Sequence, residues 1–251
     1  MGKHDGRVVV VTGGGAGIGA SICKEFEEDG ARVAIWDLDG DAAKQTAGSI
    51  EGALAYEVDV TDSTAVDAAT EAVIRDFGAF HVLVNNAGVS LVGDHTHDLS
   101  DEIWNTSIAV MQTGVFFCSR AAGRHMIENR DGAIVNISSI RGFSPNPGRL
   151  AYCASKAAVI LMTKVMAGEW APFGLRVNAV APGVQATGMW DREVALGHYE
   201  EQNYLDLIPA HRLGEPAEVG RLCSFLASAE AGYITGSCVT IDGGLTCIPA
   251  G

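Results

Sequence analysis

Short runs of Val, Ile and Ala alternate with longer amphipathic stretches from one end of the chain to the other. The runs Arg7–Thr12, Arg32–Asp37, Ala53–Val58, His81–Asn85, Ala133–Ser138, Arg176–Val180 and Ser237–Ile241 read as strands. Their near-continuous apolar content suits strands buried on both faces of a parallel sheet. Between them, Ile18–Glu28, Asp62–Phe77, Ser100–Glu128, Ala151–Trp170 and Pro216–Ala227 read as helices. The third opens on an acidic first turn, and the last on a Pro at its first position. This β-α-β alternation predicts one α/β domain, a doubly wound parallel sheet of about seven strands with helices on both faces. No repeat, low-complexity tract or linker divides it. The rhythm breaks from Gly183 to about Ala210, and the aromatic-bearing part at about 188–210 is expected to form a substrate lid.

Charge narrows the choice of partner. The 251 residues carry 17 Lys and Arg against 31 Asp and Glu, a formal net charge of −14, and 47% are hydrophobic. That describes a globular protein. Its acidity argues against nucleic acid or an anionic membrane as the main partner. No apolar run reads as reaching the length of a membrane-spanning helix, and the first residues show no signal-peptide core. The six cysteines have neither a C-x-x-C pair nor zinc spacing, so they read as small buried hydrophobes in a reducing, cytoplasmic setting. His95 and His97 lack a third ligand nearby, and no metal is expected.

Directly after the first strand comes Thr12-Gly-Gly-Gly-Ala-Gly-Ile-Gly19. Glycines permit a sharp turn and a close backbone approach to a pyrophosphate, and the following helix points its positive end at the phosphates. Asp37 ends the second strand, twenty residues after Gly17, where a carboxylate would accept hydrogen bonds from adenosine ribose hydroxyls. It would repel a 2′-phosphate, and Ala16 and Leu38 offer no base to receive one. NAD is therefore expected over NADP.

Tyr152-Cys-Ala-Ser-Lys156 sets a phenol and an ammonium on one helix face, ~6 Å apart along the axis. The ammonium would favour the phenolate and lower the tyrosine pKa. Ser139, thirteen residues upstream at the end of a strand, could hold a carbonyl oxygen while Tyr152 exchanges the proton.

With these residues, the chain resembles a short-chain dehydrogenase/reductase over nearly its whole length. The resemblance rests on Thr12-Gly13-x3-Gly17-x-Gly19, Asp59-Val60, Asn86-Ala87-Gly88, Ser139, Tyr152-x3-Lys156, Pro182-Gly183 with Thr187, and Asp242-Gly243-Gly244. It implies a Rossmann fold and an NAD-dependent alcohol dehydrogenase or ketone reductase with Ser139, Tyr152 and Lys156 as catalytic residues. By the same resemblance, Thr12, Gly13, Gly17, Ile18, Gly19 and Asp37 bind the cofactor. Asp59 and Val60 border the adenine, and Asn86, Ala87 and Gly88 support the sheet beside it. Lys156 also grips the nicotinamide ribose, and Pro182, Gly183, Val184 and Thr187 contact the carboxamide or phosphates. One position departs from the pattern: Met111 stands where the family carries a catalytic Asn that helps hold a proton-relay water. A main-chain carbonyl there can supply much of that contact.

The substrate is expected to be a small-molecule alcohol or ketone lying against Arg141, Phe143, Trp190, Tyr199 and Tyr204, with the Val89–Gly93 loop nearby. The aromatics favour a ring or a bulky apolar group. An inward-facing lid carboxylate, among Asp191, Glu193, Glu200, Glu201 and Asp206, would instead suit an aromatic amino alcohol lying on Trp190. Two rival functions are a 3-oxoacyl thioester reductase, against which Asp37 and the acidity count, and a non-catalytic nucleotide-binding scaffold. The intact Ser139, Tyr152 and Lys156 count against the scaffold. Relatives pair through the two long helices and often form tetramers, so a homotetramer is expected.

Overall fold

The computed structural model describes residues 2–91 and 95–247. Seven strands form one parallel sheet: β1 (Val8–Thr12), β2 (Arg32–Asp37), β3 (Leu54–Glu57), β4 (Val82–Asn85), β5 (Gly132–Ile137), β6 (Leu175–Pro182) and β7 (Cys238–Ile241). Their spatial order is β3-β2-β1-β4-β5-β6-β7. Strand direction and order reproduce the expected doubly wound sheet, and β6 runs two residues further than its apolar pattern, to Pro182.

Alternate side chains enter opposite cores, as the two-residue period of a strand requires. On one face Val8, Val10, Ala34, Trp36, Leu83 and Ile134 meet the inner sides of helices α3 (Ser63–Phe77), α5 (Gly114–Asn129) and α6 (Leu150–Trp170). On the other, Val9, Val11, Val33, Ile35 and Val84 meet α1 (Gly17–Glu28), α2 (Gly40–Ala47) and α9 (Pro216–Ala227). Both faces are thereby sealed. The chain reverses its winding between β1 and β4, which opens a crevice at the carboxyl ends of the strands.

Two expectations about the long helices need correction. The stretch 100–128 is not one helix: α4 (Asp101–Ile108) passes through a π-helical turn at Ala109–Thr113 before α5 begins. Gly114 follows that turn, where a Cβ would approach the Val60 side chain to 2.9 Å, so the helix lies this close to the loop after β3 because position 114 has no side chain. The second concerns membrane length. The 24 residues Leu150–Phe173 are long and apolar enough to cross a membrane. Here Val159, Thr163, Met166 and Ala167 bury the inner side of α6 in the core, while Leu161 and Val165 stay exposed.

The segment after β6 folds into α7 (Gly188–Ala195) and α8 (Glu201–Leu207), a helical cap over the crevice. Thr187 opens α7 by accepting a hydrogen bond on Oγ1 from the Trp190 N–H. The chain returns to the sheet through α9, whose Glu215 and Glu218 cap its first turn reciprocally.

Candidate active site

At the switch point a cleft of about 800 Å³ runs across the strand ends. Its floor is the glycine turn. Gly13 and Gly17 adopt positive φ (61° and 55°), which glycine alone takes without strain. At Gly19 a Cβ would overlap the Gly13 carbonyl oxygen, so α1 lies against the turn because position 19 has no side chain. Ala16 heads α1 and no side chain caps it, which leaves the first helical N–H groups for a ligand anion. Thr12 is buried beneath, and its Oγ1 accepts hydrogen bonds from the Asn86 and Ala87 N–H groups, both at 3.0 Å. Asn86 Nδ2 in turn donates to the Thr12 and Gly13 carbonyls. The ends of β1 and β4 are thus locked together under the turn.

The walls collect the other expected residues. Ile18, Asp37, Asp59, Val60, Asn86, Ala87 and Gly88 line the β1–β4 half, while Ser139, Tyr152, Lys156, Pro182, Gly183 and Thr187 line the β5–β6 half. Gly183 passes so close to Asp242 that a Cβ would lie 2.8 Å from its Cα. Met111 is buried in the same wall, and a Cβ at Gly88 would be 3.8 Å from its Sδ. A long groove with an anion-binding helix end, a ribose-sized acidic corner and no bulky side chain on its floor fits a dinucleotide.

A second cavity of about 170 Å³ opens beside it under the cap. Ser139, Tyr152, Gly183, Thr187 and Met189 line both cavities, so Ser139 and Tyr152 stand where the two meet. The Ser139 hydroxyl accepts a hydrogen bond from the Arg141 N–H at 3.1 Å. Burial pushes the Tyr152 phenol above its ordinary pKa, and a hydrogen bond with Ser139 and the Arg149 and Arg141 charges pull the other way without overcoming it. Lys156 is buried, donates from Nζ to the Ile137 carbonyl at 2.8 Å and lies 5.7 Å from the Tyr152 ring centroid. Burial lowers its own pKa to about 8. The net shift of the phenol is therefore upward rather than the expected lowering, because burial outweighs the nearby cations.

The family model described as enoyl-(acyl carrier protein) reductase matches residues 13–246. The chain belongs to the short-chain dehydrogenase/reductase family. Within it, galactitol 2-dehydrogenase (L-tagatose-forming) of Cereibacter sphaeroides is 40% identical over 97% of this chain and 96% of its own length. The 3-oxoacyl-[acyl-carrier-protein] reductase of Thermotoga maritima is 38% identical over 97% of this chain and 99% of its own. Among solved structures, that of NAD+-bound xylitol dehydrogenase superposes with a TM-score of 0.93 at 31% identity, covering 96% of this chain and 100% of that one. This short-chain dehydrogenase/reductase is an oxidoreductase of secondary alcohols or ketones and binds a nicotinamide cofactor.

The substrate-side expectations divide. Arg141, Trp190, Tyr199 and Tyr204 line the smaller cavity, whereas Phe143 lines neither cavity and is 52% exposed. Phe143 follows a 3-10 turn at Ile140–Gly142, and closeness in sequence to Ser139 does not bring it to the pocket. Of the Val89–Gly93 loop, Val89 and Ser90 line the cavities, and residues 92–93 lie outside the described residues. Trp190 stacks on Tyr199 with centroids 5.5 Å apart, and Tyr204 meets both rings edge-on. One Trp190 face is therefore already covered. The inward lid carboxylate is Glu193, but Arg149 and His198 already occupy its Oε2. The inward carboxylate is thus already shared with two cations, which favours a neutral substrate over the amino alcohol. Ser90 of the expected loop and Glu193 of the lid also line this pocket, and Asn146 and Arg149 line it without having been found from the sequence. No cluster of metal-binding side chains exists among the described residues.

Proposed function

We propose that this protein is an NAD(H)-dependent dehydrogenase that interconverts a secondary alcohol and its ketone, with Ser139, Tyr152 and Lys156 as its catalytic residues. The observation that carries the reading is that Ser139 and Tyr152 line both the dinucleotide-sized cleft and the capped pocket. When bound, the cofactor supplies the carbon that accepts or donates hydride. Ser139 Oγ holds the substrate oxygen, and Tyr152 removes the alcohol proton in oxidation or returns it to the ketone oxygen in reduction. Lys156 holds the nicotinamide ribose, and the glycine turn and α1 hold the pyrophosphate. At the position of the family's relay Asn, the main-chain carbonyl of Met111 serves the water. NAD rather than NADP is supported by Asp37 and by the cleft's charges: among the described residues lining it, Lys156 is the sole base, three strands away from Asp37. The thioester-reductase rival, which usually prefers NADPH, is disfavoured on the same ground.

On the substrate, the stacked cap rings form an apolar wall that favours a ring or bulky apolar substituent. A polyhydroxy alcohol is the second reading. Among the described residues Glu193 Oε1 accepts from Ser90 Oγ alone, at 3.5 Å, and can accept a further hydroxyl; the names of the galactitol and xylitol relatives point the same way. A panel of aryl, alicyclic and polyhydroxy secondary alcohols with NAD, read at the NADH absorbance, tests both. Turnover of aryl alcohols alone supports the first reading, turnover of polyols alone the second, and turnover of neither class refutes the proposal. The enzyme is further proposed to work as a homotetramer in the cytoplasm. Support comes from the exposed Leu161 and Val165 of α6, Phe116 of α5 and Tyr233 near β7, and from six free cysteines.

A further inference from the structure

Beneath the cap lies a charged pair that the proton-transfer step does not use. Arg149, the residue before α6, and Glu193 on α7 are both buried, and Nη2 donates to Oε2 at 2.8 Å. The other arm of the guanidinium, Nη1, donates to Ser90 Oγ at 3.0 Å, and the group lies 5.5 Å from the Tyr199 ring centroid. Glu193 Oε2 also lies 3.0 Å from His198 Nδ1. One side chain thus joins the loop after β4, the start of the catalytic helix and the cap, three residues before Tyr152. Buried ion pairs gain little over apolar packing of the same volume, so stability alone does not account for this one.

We propose that Arg149 is a positioning residue for Tyr152, clamped by Glu193, so that the cap and the proton-exchanging phenol are set by one buried pair. The inference rests on Tyr152 being the acid and base of the proposed function. Lining the pocket or the cleft with Tyr152 are Ser139 and Arg141 from the turn after β5 and Arg149 and Lys156 from α6 and its approach, with Cys153 the next residue along the helix. Tyr199, Tyr204 and Glu193 of the cap line the same pocket, Glu193 contacts Arg149, and His198 contacts Glu193. The Arg149 charge favours the phenolate, and the Glu193 charge offsets part of that effect.

The two members of the pair therefore push the pH profile in opposite directions. With Glu193→Gln, the pH profile of kcat for alcohol oxidation should move to lower pH by about 0.5 unit or more; with Arg149→Gln it should move higher by a similar amount. The double variant Arg149→Met/Glu193→Leu should return it between the two, with kcat reduced by about 10-fold from lost positioning. NADH binding by fluorescence, within about 3-fold of wild type, checks that each variant keeps its cofactor half folded. Shifts of the same sign, or unchanged profiles, would overturn the proposal. If Tyr152→Phe abolishes turnover while both single variants keep the wild-type profile, only the role of Arg149 and Glu193 falls. Wild-type turnover by Tyr152→Phe would remove the functional reading itself.

Discussion

Asp37 Oδ2 accepts a hydrogen bond from the Gly15 N–H at 2.8 Å. The carboxylate at the ribose corner therefore also pins the glycine turn, and a Cβ at Gly15 would lie 2.8 Å from the same oxygen. Its Oδ1 takes the Asp39 N–H at 3.0 Å, which fixes the start of the loop leading to α2. The shape of the glycine turn and the proposed selection of the cofactor thus share one side chain.

Asp37→Ala should thus do two things. The preference for NAD over NADP in kcat/KM, expected to be at least ~10-fold or about 1.4 kcal/mol, should narrow towards parity. Affinity for both cofactors should fall as the turn loosens. Initial rates with each dinucleotide check this, and comparable wild-type rates with both would refute the role given to the carboxylate.

Gly19→Ala should damage the cleft by a different route. Its methyl would collide with the Gly13 carbonyl, a backbone atom with little room to retreat. A loss of about 1–3 kcal/mol of stability is expected, with weaker NADH binding. Urea unfolding together with NADH fluorescence titration measures both, and a variant with wild-type stability and affinity would contradict the packing described.

Lys156 provides a pH test. Its pKa falls from 10.5 to about 8 through burial, so the unfolded chain binds more protons between those values. The charged ammonium therefore reduces the stability of the cofactor-free protein below pH 8, on the order of 3 kcal/mol, and this loss is relieved as pH rises towards 10.5. Lys156→Met should be inactive yet at least as stable as wild type at pH 7, with its advantage shrinking by pH 10. Denaturant melts at both pH values check the sign, and an equal destabilisation at both would refute it.

The proposed assembly predicts a multimer at micromolar concentration. Leu161 is 64% and Val165 52% exposed on α6. Leu161→Glu with Val165→Glu should lower the mass seen by light scattering, because two charges in a helix interface would be desolvated without partners. A monomeric wild type would overturn the assembly.

All seven strands were legible within about two residues at each end: the central ones are apolar on both faces, and the edge strands β3 and β7 are short apolar-rich runs that turns interrupt cleanly. Helix α2 had no such signal. Its eight residues bury only Ala43 and Thr46, small side chains that make no apolar run, and Asp39 caps the Asp41 and Ala42 N–H groups at its start. The π turn before Gly114 changes the backbone without changing the amphipathic pattern, so the stretch around it read as one helix. At the site, fifteen of the seventeen expected cofactor residues line the large cleft, and they came from motifs and their spacing; Thr12 lies beneath it and Val184 lines the capped pocket. Arg149 and Glu193 could not be found that way. They lie 44 positions apart, and only the folded cap brings them together.

Tyr152→Phe tests the central claim most directly. Removing one oxygen atom leaves the ring, the cleft and Lys156 in place, so NADH binding should persist while turnover falls by about 100-fold or more, the range expected for loss of a positioned general acid and base. In the wild type, alcohol oxidation should rise with pH, because burial holds the phenol protonated and only the deprotonated form accepts the substrate proton. The measurement is kcat for oxidation of an accepted secondary alcohol beside the NADH dissociation constant, for both proteins. Lost turnover with retained NADH affinity is the expected result; a variant that keeps wild-type turnover would contradict the account.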